Sequence, residues 1–136
     1  MKLSLRINKN LDKDIQKISI LYGIDKSEVI KCSVLKCLRR INVTQNKKSF
    51  LSYIRHIYKH HHKNKGTIPY SIRLPVDLKP LIKYFKNINQ GVNHAVGWNL
   101  YEEKIRLDFA QYKLKTPPKI EYFEGIHYNV IKNRDS

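Results

Sequence analysis

Acidic residues are the scarcer charge in this chain: 11 Asp and Glu stand against 27 Lys and Arg among 136 residues, a formal net charge of +16 at pH 7. Between Glu28 and Asp77 there is no acidic residue at all, while Lys31, Lys36, Arg39, Arg40, Lys47, Lys48, Arg55, Lys59, Lys63, Lys65 and Arg73 all fall there. A merely solvated surface intersperses both signs, so this stretch points to a polyanionic partner, of which nucleic acid is the commonest. Cysteine is nearly absent. Cys32 and Cys37 are five apart in a helix-like stretch and do not face each other there, which argues against an internal disulfide and for buried, reduced thiols. No apolar run approaches a membrane span, and the N-terminus alternates polar and apolar residues instead of presenting a signal peptide. A cytoplasmic protein with no membrane partner is expected.

The apparatus of catalysis is also missing. No nucleophile stands with a recognisable base, and no glycine-rich loop is set to cradle phosphate. Glu102 and Glu103 are adjacent and face different directions on a helix, so they make no carboxylate pair. His56 and His60 have the i,i+4 spacing of helical zinc pairs, within the run ending in His60, His61 and His62. No Asp or Glu lies near them in sequence, and the two cysteines lack metal-ligand spacing. The expectation is a protein that is not an enzyme and holds neither cofactor nor metal.

What is present is a repeated unit. The hydrophobic fraction of 41% supplies a packed interior, in one domain or two very small ones sharing a core. Residues 2–8, KLSLRIN, alternate as a half-buried strand. Leu11, Ile15, Ile18 and Leu21 follow at helical spacing, Gly23 ends that helix, and Asp25 with Glu28 opens another whose buried side is Val29, Ile30, Val34, Cys37, Leu38 and Ile41. A shift of 67 residues carries Leu3, Ser4, Leu5, Arg6 and Ile7 onto Tyr70, Ser71, Ile72, Arg73 and Leu74. The same shift carries the first helix stripe onto Leu78, Ile82, Phe85 and Ile88. One inserted residue later, Gly91-Val92-Asn93 takes the place of Gly23-Ile24-Asp25. A further helix over NHAVGWNLYEEKIRLDFAQY follows, in which Gly97 and Trp98 break the match.

The chain therefore divides into a first unit at 1–41, a basic spacer at 42–67, a second unit at 68–115 and a tail at 116–136. The spacer has its own helix, with Phe50, Leu51, Tyr53, Ile54, Ile57 and Tyr58 on one face and Ser49 as the expected cap. Pro117-Pro118 ends the preceding helix, and short extended segments around Glu124-Gly125 are expected in the tail.

A strand and two helices, with a glycine before a capped second helix, resembles the ribbon-helix-helix family of the MetJ/Arc type. Leu3-Ser4-Leu5-Arg6-Ile7 with Gly23-Ile24-Asp25-Lys26-Ser27-Glu28 carry the resemblance once. Tyr70-Ser71-Ile72-Arg73-Leu74-Pro75 with Gly91-Val92-Asn93 carry it again, so that it covers about two-thirds of the chain. Two copies in one chain are similar to the tandem, TraY-like accessory proteins of conjugative relaxosomes. The resemblance implies a mainly α fold with a short two-stranded antiparallel ribbon, two units forming an intramolecular pseudo-dimer, and double-stranded DNA as the partner. Physical necessity agrees, since a lone strand leaves its edge unpaired and one unit buries too little alone.

With Leu3, Leu5, Ile7, Tyr70, Ile72 and Leu74 packed inward, the outward face carries Lys2, Ser4, Arg6, Pro69, Ser71 and Arg73. Lys2, Ser4, Arg6, Ser71 and Arg73 are the candidate base contacts, with Arg6 and Arg73 suited to guanine. Phosphates are expected at the starts of the second helices, at Lys26 and Ser27 and at Asn93 and His94, with Lys26 offsetting the carboxylate of Asp25. Pro69 cannot donate and is expected to shorten the second strand; Pro80 falls in a first helical turn, where it is tolerated. Because the halves differ, the DNA site should be asymmetric or imperfectly repeated. The role implied is a transcriptional regulator or a relaxosome accessory factor, with further copies bound along DNA or a protein partner on the tail as added possibilities. Two other readings stay open: an RNA or single-strand binder using Tyr53, Tyr58 and the basic spacer, and an antitoxin-like protein-interaction module.

Overall fold

The computed structural model describes residues 2–62, 66–73 and 77–114, with side chains described between 3 and 105. The elements run β1 (Lys2–Asn8), α1 (Lys9–Tyr22), α2 (Lys26–Val43), α3 (Lys47–His61), β2 (Thr67–Arg73), α4 (Lys79–Tyr84) and α5 (Ile88–Leu114). The fold is thus mainly helical with one two-stranded sheet, in which β1 and β2 pair antiparallel. The tail expected to hold extended segments lies outside the described residues, as do Leu74 and Pro75.

The first unit follows most of its sequence signals, but Leu21 of the expected stripe is 36% exposed and Asp25 makes no side-chain capping bond. Asn8 ends β1 and caps α1, its side-chain oxygen accepting from the N–H groups of Asn10 and Leu11. Gly23 then adopts φ 64°, a left-handed conformation. Its N–H bonds to the Ile20 carbonyl and that of Ile24 to the Ser19 carbonyl, so the last carbonyls of α1 are satisfied by a glycine that accepts this backbone without strain. Leu11 and Ile15 are buried, as are Val29, Ile30, Val34, Cys37 and Ile41 on α2. Each fully buried aliphatic side chain contributes roughly 1.5–3 kcal/mol relative to exposure.

Helix α5 is the centre of the molecule. Every residue from Gly91 to Leu100 is buried, because α2, α3, α4, α1 and β1 all pack around it. A helix enclosed on all sides shows no single apolar stripe. Trp98 lies edge-on to Phe50 of α3 at 5.4 Å between ring centroids. Gly97 marks the closest approach of α3: a Cβ there would lie 3.1 Å from His62 and 3.2 Å from Tyr58.

The second unit departs from its expected outline. The predicted stripe Leu78, Ile82, Phe85 and Ile88 is corrected: α4 lasts six residues, Leu78, Leu81 and Phe85 are buried, and Ile82 is 51% exposed. Gly91 does not stop a helix either. Asn87 opens α5, its side chain accepting from the Gln90 N–H while the Gln90 side chain accepts from the Lys86 N–H. Gly91 falls inside that helix, where a Cβ would meet Leu81 at 3.0 Å; it allows close approach of α4. In the spacer, Asn46 rather than Ser49 caps α3, accepting from the Ser49 N–H, so the cap lies three residues earlier than expected.

Candidate nucleic-acid interface

In the ribbon, Lys2 lies opposite Arg73, Leu3 opposite Ile72, Ser4 opposite Ser71, Leu5 opposite Tyr70, Arg6 opposite Pro69, Ile7 opposite Ile68 and Asn8 opposite Thr67. Side chains alternate between faces, and cross-strand partners share one. Leu5, Ile7 and Ile72 are buried and Leu3, Ile68 and Tyr70 half-buried, while Ser4, Arg6, Pro69, Ser71 and Arg73 are exposed. The face expected to point outward does so. Lys2 belongs to the same face by register, but its side chain lies outside those described.

Pro69 does not shorten β2, and the hydrogen-bond pattern gives the reason. The N–H and C=O of Arg6 point away from β2, to Asn89 and Asn93, so Arg6 and Pro69 form a non-hydrogen-bonded pair. At that position the missing N–H of proline removes no ladder bond.

The outer edge of β1 is closed by two asparagines of α5. Asn89 Oδ1 accepts from the Arg6 N–H at 2.7 Å. Asn93 Oδ1 accepts from the Asn8 N–H at 3.1 Å, and its Nδ2 donates to the Arg6 carbonyl at 2.9 Å. One side-chain amide thus supplies both an acceptor and a donor to the strand, as a third strand would. On the outer face, Arg6 Nε donates to Thr67 Oγ1 at 2.9 Å, which fixes the plane of the guanidinium while its two terminal nitrogens have no protein partner among the described residues.

Lys26 and Ser27 occupy the first turn of α2, as expected. Lys26 Nζ is 3.6 Å from Asp12 and 5.9 Å from the centre of the Tyr70 ring; Tyr70 itself donates a short hydrogen bond to Asp12. Burial, reinforced by that carboxylate, holds the Tyr70 phenol well above its ordinary range. This chain ties the start of α2 to the inner face of the ribbon. Asp25 precedes the helix without a side-chain capping bond.

Asn93 and His94 are a correction. They do not begin a helix: α5 starts at Ile88, so both lie in its second turn, 4% and 8% exposed. The Asn93 amide is spent on Arg6, Asn8 and Asn89, and His94 Nδ1 bonds to the Gln90 carbonyl. Both face the interior, where they position the ribbon and α5. Sequence reasoning missed Thr67, Asn89 and Asn8; the i,i+4 spacing of Asn89 and Asn93 was the one local sign of a shared partner.

Cys32 and Cys37 are buried and form no disulfide, Cys32 Sγ instead donating to Glu28 Oε1 at 3.8 Å, and burial pushes both thiols up to about 12. Among the described residues no three metal-ligating side chains come together, and no helix is long and apolar enough to cross a membrane. No family model, curated protein or solved structure matches the chain.

Proposed function

We propose that this chain is a sequence-specific double-stranded DNA-binding protein that inserts the β1–β2 ribbon into the major groove, its two halves acting as ribbon-helix-helix units of one intramolecular pseudo-dimer. The observation that carries the reading is the outer face of the ribbon. Ser4 and Ser71 face each other at its middle, and Arg6 and Arg73 flank them on opposite strands. Those four residues are counterparts under the 67-residue shift, so the pairs are related by an approximate twofold axis. A two-stranded ribbon fits a major groove about 12 Å wide, where arginine grips guanine and serine serves several bases. The first turn of α2, with Lys26 and Ser27, is the phosphate-holding site that accompanies it.

Control of transcription and assembly of a conjugative relaxosome are the two cellular roles this reading carries. Selection from a random duplex pool, followed by competition with single strands and structured RNA, tests it. A defined duplex sequence should emerge and should outcompete both other forms. Equal or stronger binding to single strands or RNA would contradict the proposal.

A further inference from the structure

The spacer helix turns a second cationic face to solvent. Its inward stripe is Leu51, Ile54 and Ile57; on the other side Lys48, Ser52, Arg55, His56, Lys59 and His60 are all exposed. At 3.6 residues per turn these six share one face. No Asp or Glu occurs on α3, and at its margin Glu102 of α5 lies beside Tyr53. An open groove of ≈ 700 Å³ runs along this side, lined in part by Lys48, Ser52, Arg55 and His56. Arg55 is held in place: Nη2 donates to the Tyr84 carbonyl at 2.9 Å, and the guanidinium lies 5.8 Å from the Phe85 ring centre.

The position of this face separates it from the ribbon. The start of α2 is tied to the inner side of the ribbon through Lys26, Asp12 and Tyr70. Eighteen residues carry α2 about 27 Å onward. Helix α3 begins there and returns, so that the His62 carbonyl accepts from Asn8 Nδ2 at 3.2 Å, at the end of β1. Lys59 therefore lies toward the ribbon, and Lys48 lies about 16 Å farther along the helix axis. Lys48 therefore stands at the end of α3 that is farther from the ribbon.

We propose that the exposed face of α3 is a second DNA-backbone site, which holds a duplex segment outside the groove occupied by the ribbon. The proposal rests on the ribbon reading for its first DNA contact. Point charges and a hydroxyl spaced along a rigid helix suit phosphates and carry no base information. Stacking on unpaired bases calls for a row of exposed aromatics, and insertion into a lipid surface calls for exposed apolar side chains; this side of α3 supplies the single phenol of Tyr53, 41% exposed, beside the His56 and His60 rings, and neither such array.

The test compares wild type with Lys48→Gln/Lys59→Gln, which keeps the Arg55 bond to Tyr84, and with the triple variant adding Arg55→Gln. Each is titrated across a salt series with the selected site on a duplex of about one and a half turns (~15 base pairs) and on one of about four turns (~40 base pairs). On the long duplex the slope of log K against log salt should weaken by about 1.8 for the double and about 2.7 for the triple variant, at roughly 0.9 per phosphate contact. On the short duplex it should change only where a second duplex is bound. Energy transfer between two labelled short duplexes separates sources: a signal from wild type that the double variant loses assigns the segment to a second DNA molecule, and its absence assigns it to the flank of the same one. An unchanged slope on the long duplex, or an equal loss on both lengths without energy transfer between two duplexes, overturns the proposal. So does α3-dependent binding of RNA or anionic vesicles in preference to duplex. These outcomes are independent of the ribbon, whose failure would appear as an unaltered base preference in Arg6→Ala/Arg73→Ala.

Discussion

Ser4 lies directly opposite Ser71 in the ribbon, and these are the two residues that a 67-residue shift superimposes. The neighbouring pairs exchange roles about them: Arg6 faces Pro69 and Arg73 faces Lys2. The register thus places each Ser against its own counterpart. Tethering the two strands in one chain also makes their pairing intramolecular.

The edge of β1 depends on Asn93, whose amide bonds to Asn8, Arg6 and Asn89. Asn93→Ala leaves a buried strand N–H and a carbonyl without those partners, at roughly 1–3 kcal/mol for each unsatisfied group. The urea midpoint should fall by an amount corresponding to about 2 kcal/mol or more with an unchanged slope. Non-specific DNA binding by the folded fraction should persist.

Gly97 sets the distance between α3 and α5. Alanine would gain about 1 kcal/mol of helix propensity there, but its Cβ would press on His62 at 3.1 Å and Tyr58 at 3.2 Å. Gly97→Val adds more bulk and should destabilise by about 1–3 kcal/mol through overpacking. Thermal unfolding checks it, and a raised midpoint would show that α3 yields freely.

The break in the repeat at Gly97 and Trp98 thus has a physical cause: it is where the inserted helix docks. Alternation over residues 2–8, the glycine stop at Gly23 and the apolar spacing of α2 are local signals, and these made the first unit and the ribbon's outer face legible in the sequence. The second unit was less so. Helix α5 is buried on all sides over residues 91–100 because five elements surround it, so its start could not be read from a stripe, and Gly91 serves a close packing contact that resembles a helix stop. The brace from Asn89 and Asn93 joins residues more than 80 apart, which no local pattern displays.

Two histidines make stability depend on pH. Burial pushes His62 and His94 below the ordinary histidine range, against the pull of the Asp14 carboxylate 3.8 Å from His62. The Tyr58 ring stacks on His94 at 4.3 Å and packs near His62. Between the lowered folded values and about 6.5 the unfolded chain binds more protons, so stability rises with pH across that window. The urea midpoint should therefore drop on acidification below about 6.5, and His62→Gln/His94→Gln should flatten the curve. A midpoint that climbs on acidification would contradict this.

The thiols give a probe of the packed state. With burial pushing Cys32 and Cys37 up to about 12, neither should react with a thiol reagent at about pH 8 while the chain is folded. Both should react in urea at the rate of free cysteine, and rapid labelling of the native protein would show that α2 is not seated on the core.

The central claim is that Arg6 and Arg73 read bases while other cations hold phosphates. The most direct measurement is the binding of Arg6→Ala/Arg73→Ala to the selected duplex and to random duplex across a salt series, with helical content checked by circular dichroism. The account predicts that discrimination between the two falls by about 1–3 kcal/mol for each lost contact, while most of the salt-dependent affinity for random duplex survives. A double variant that keeps the wild-type preference would contradict insertion of the ribbon into the groove.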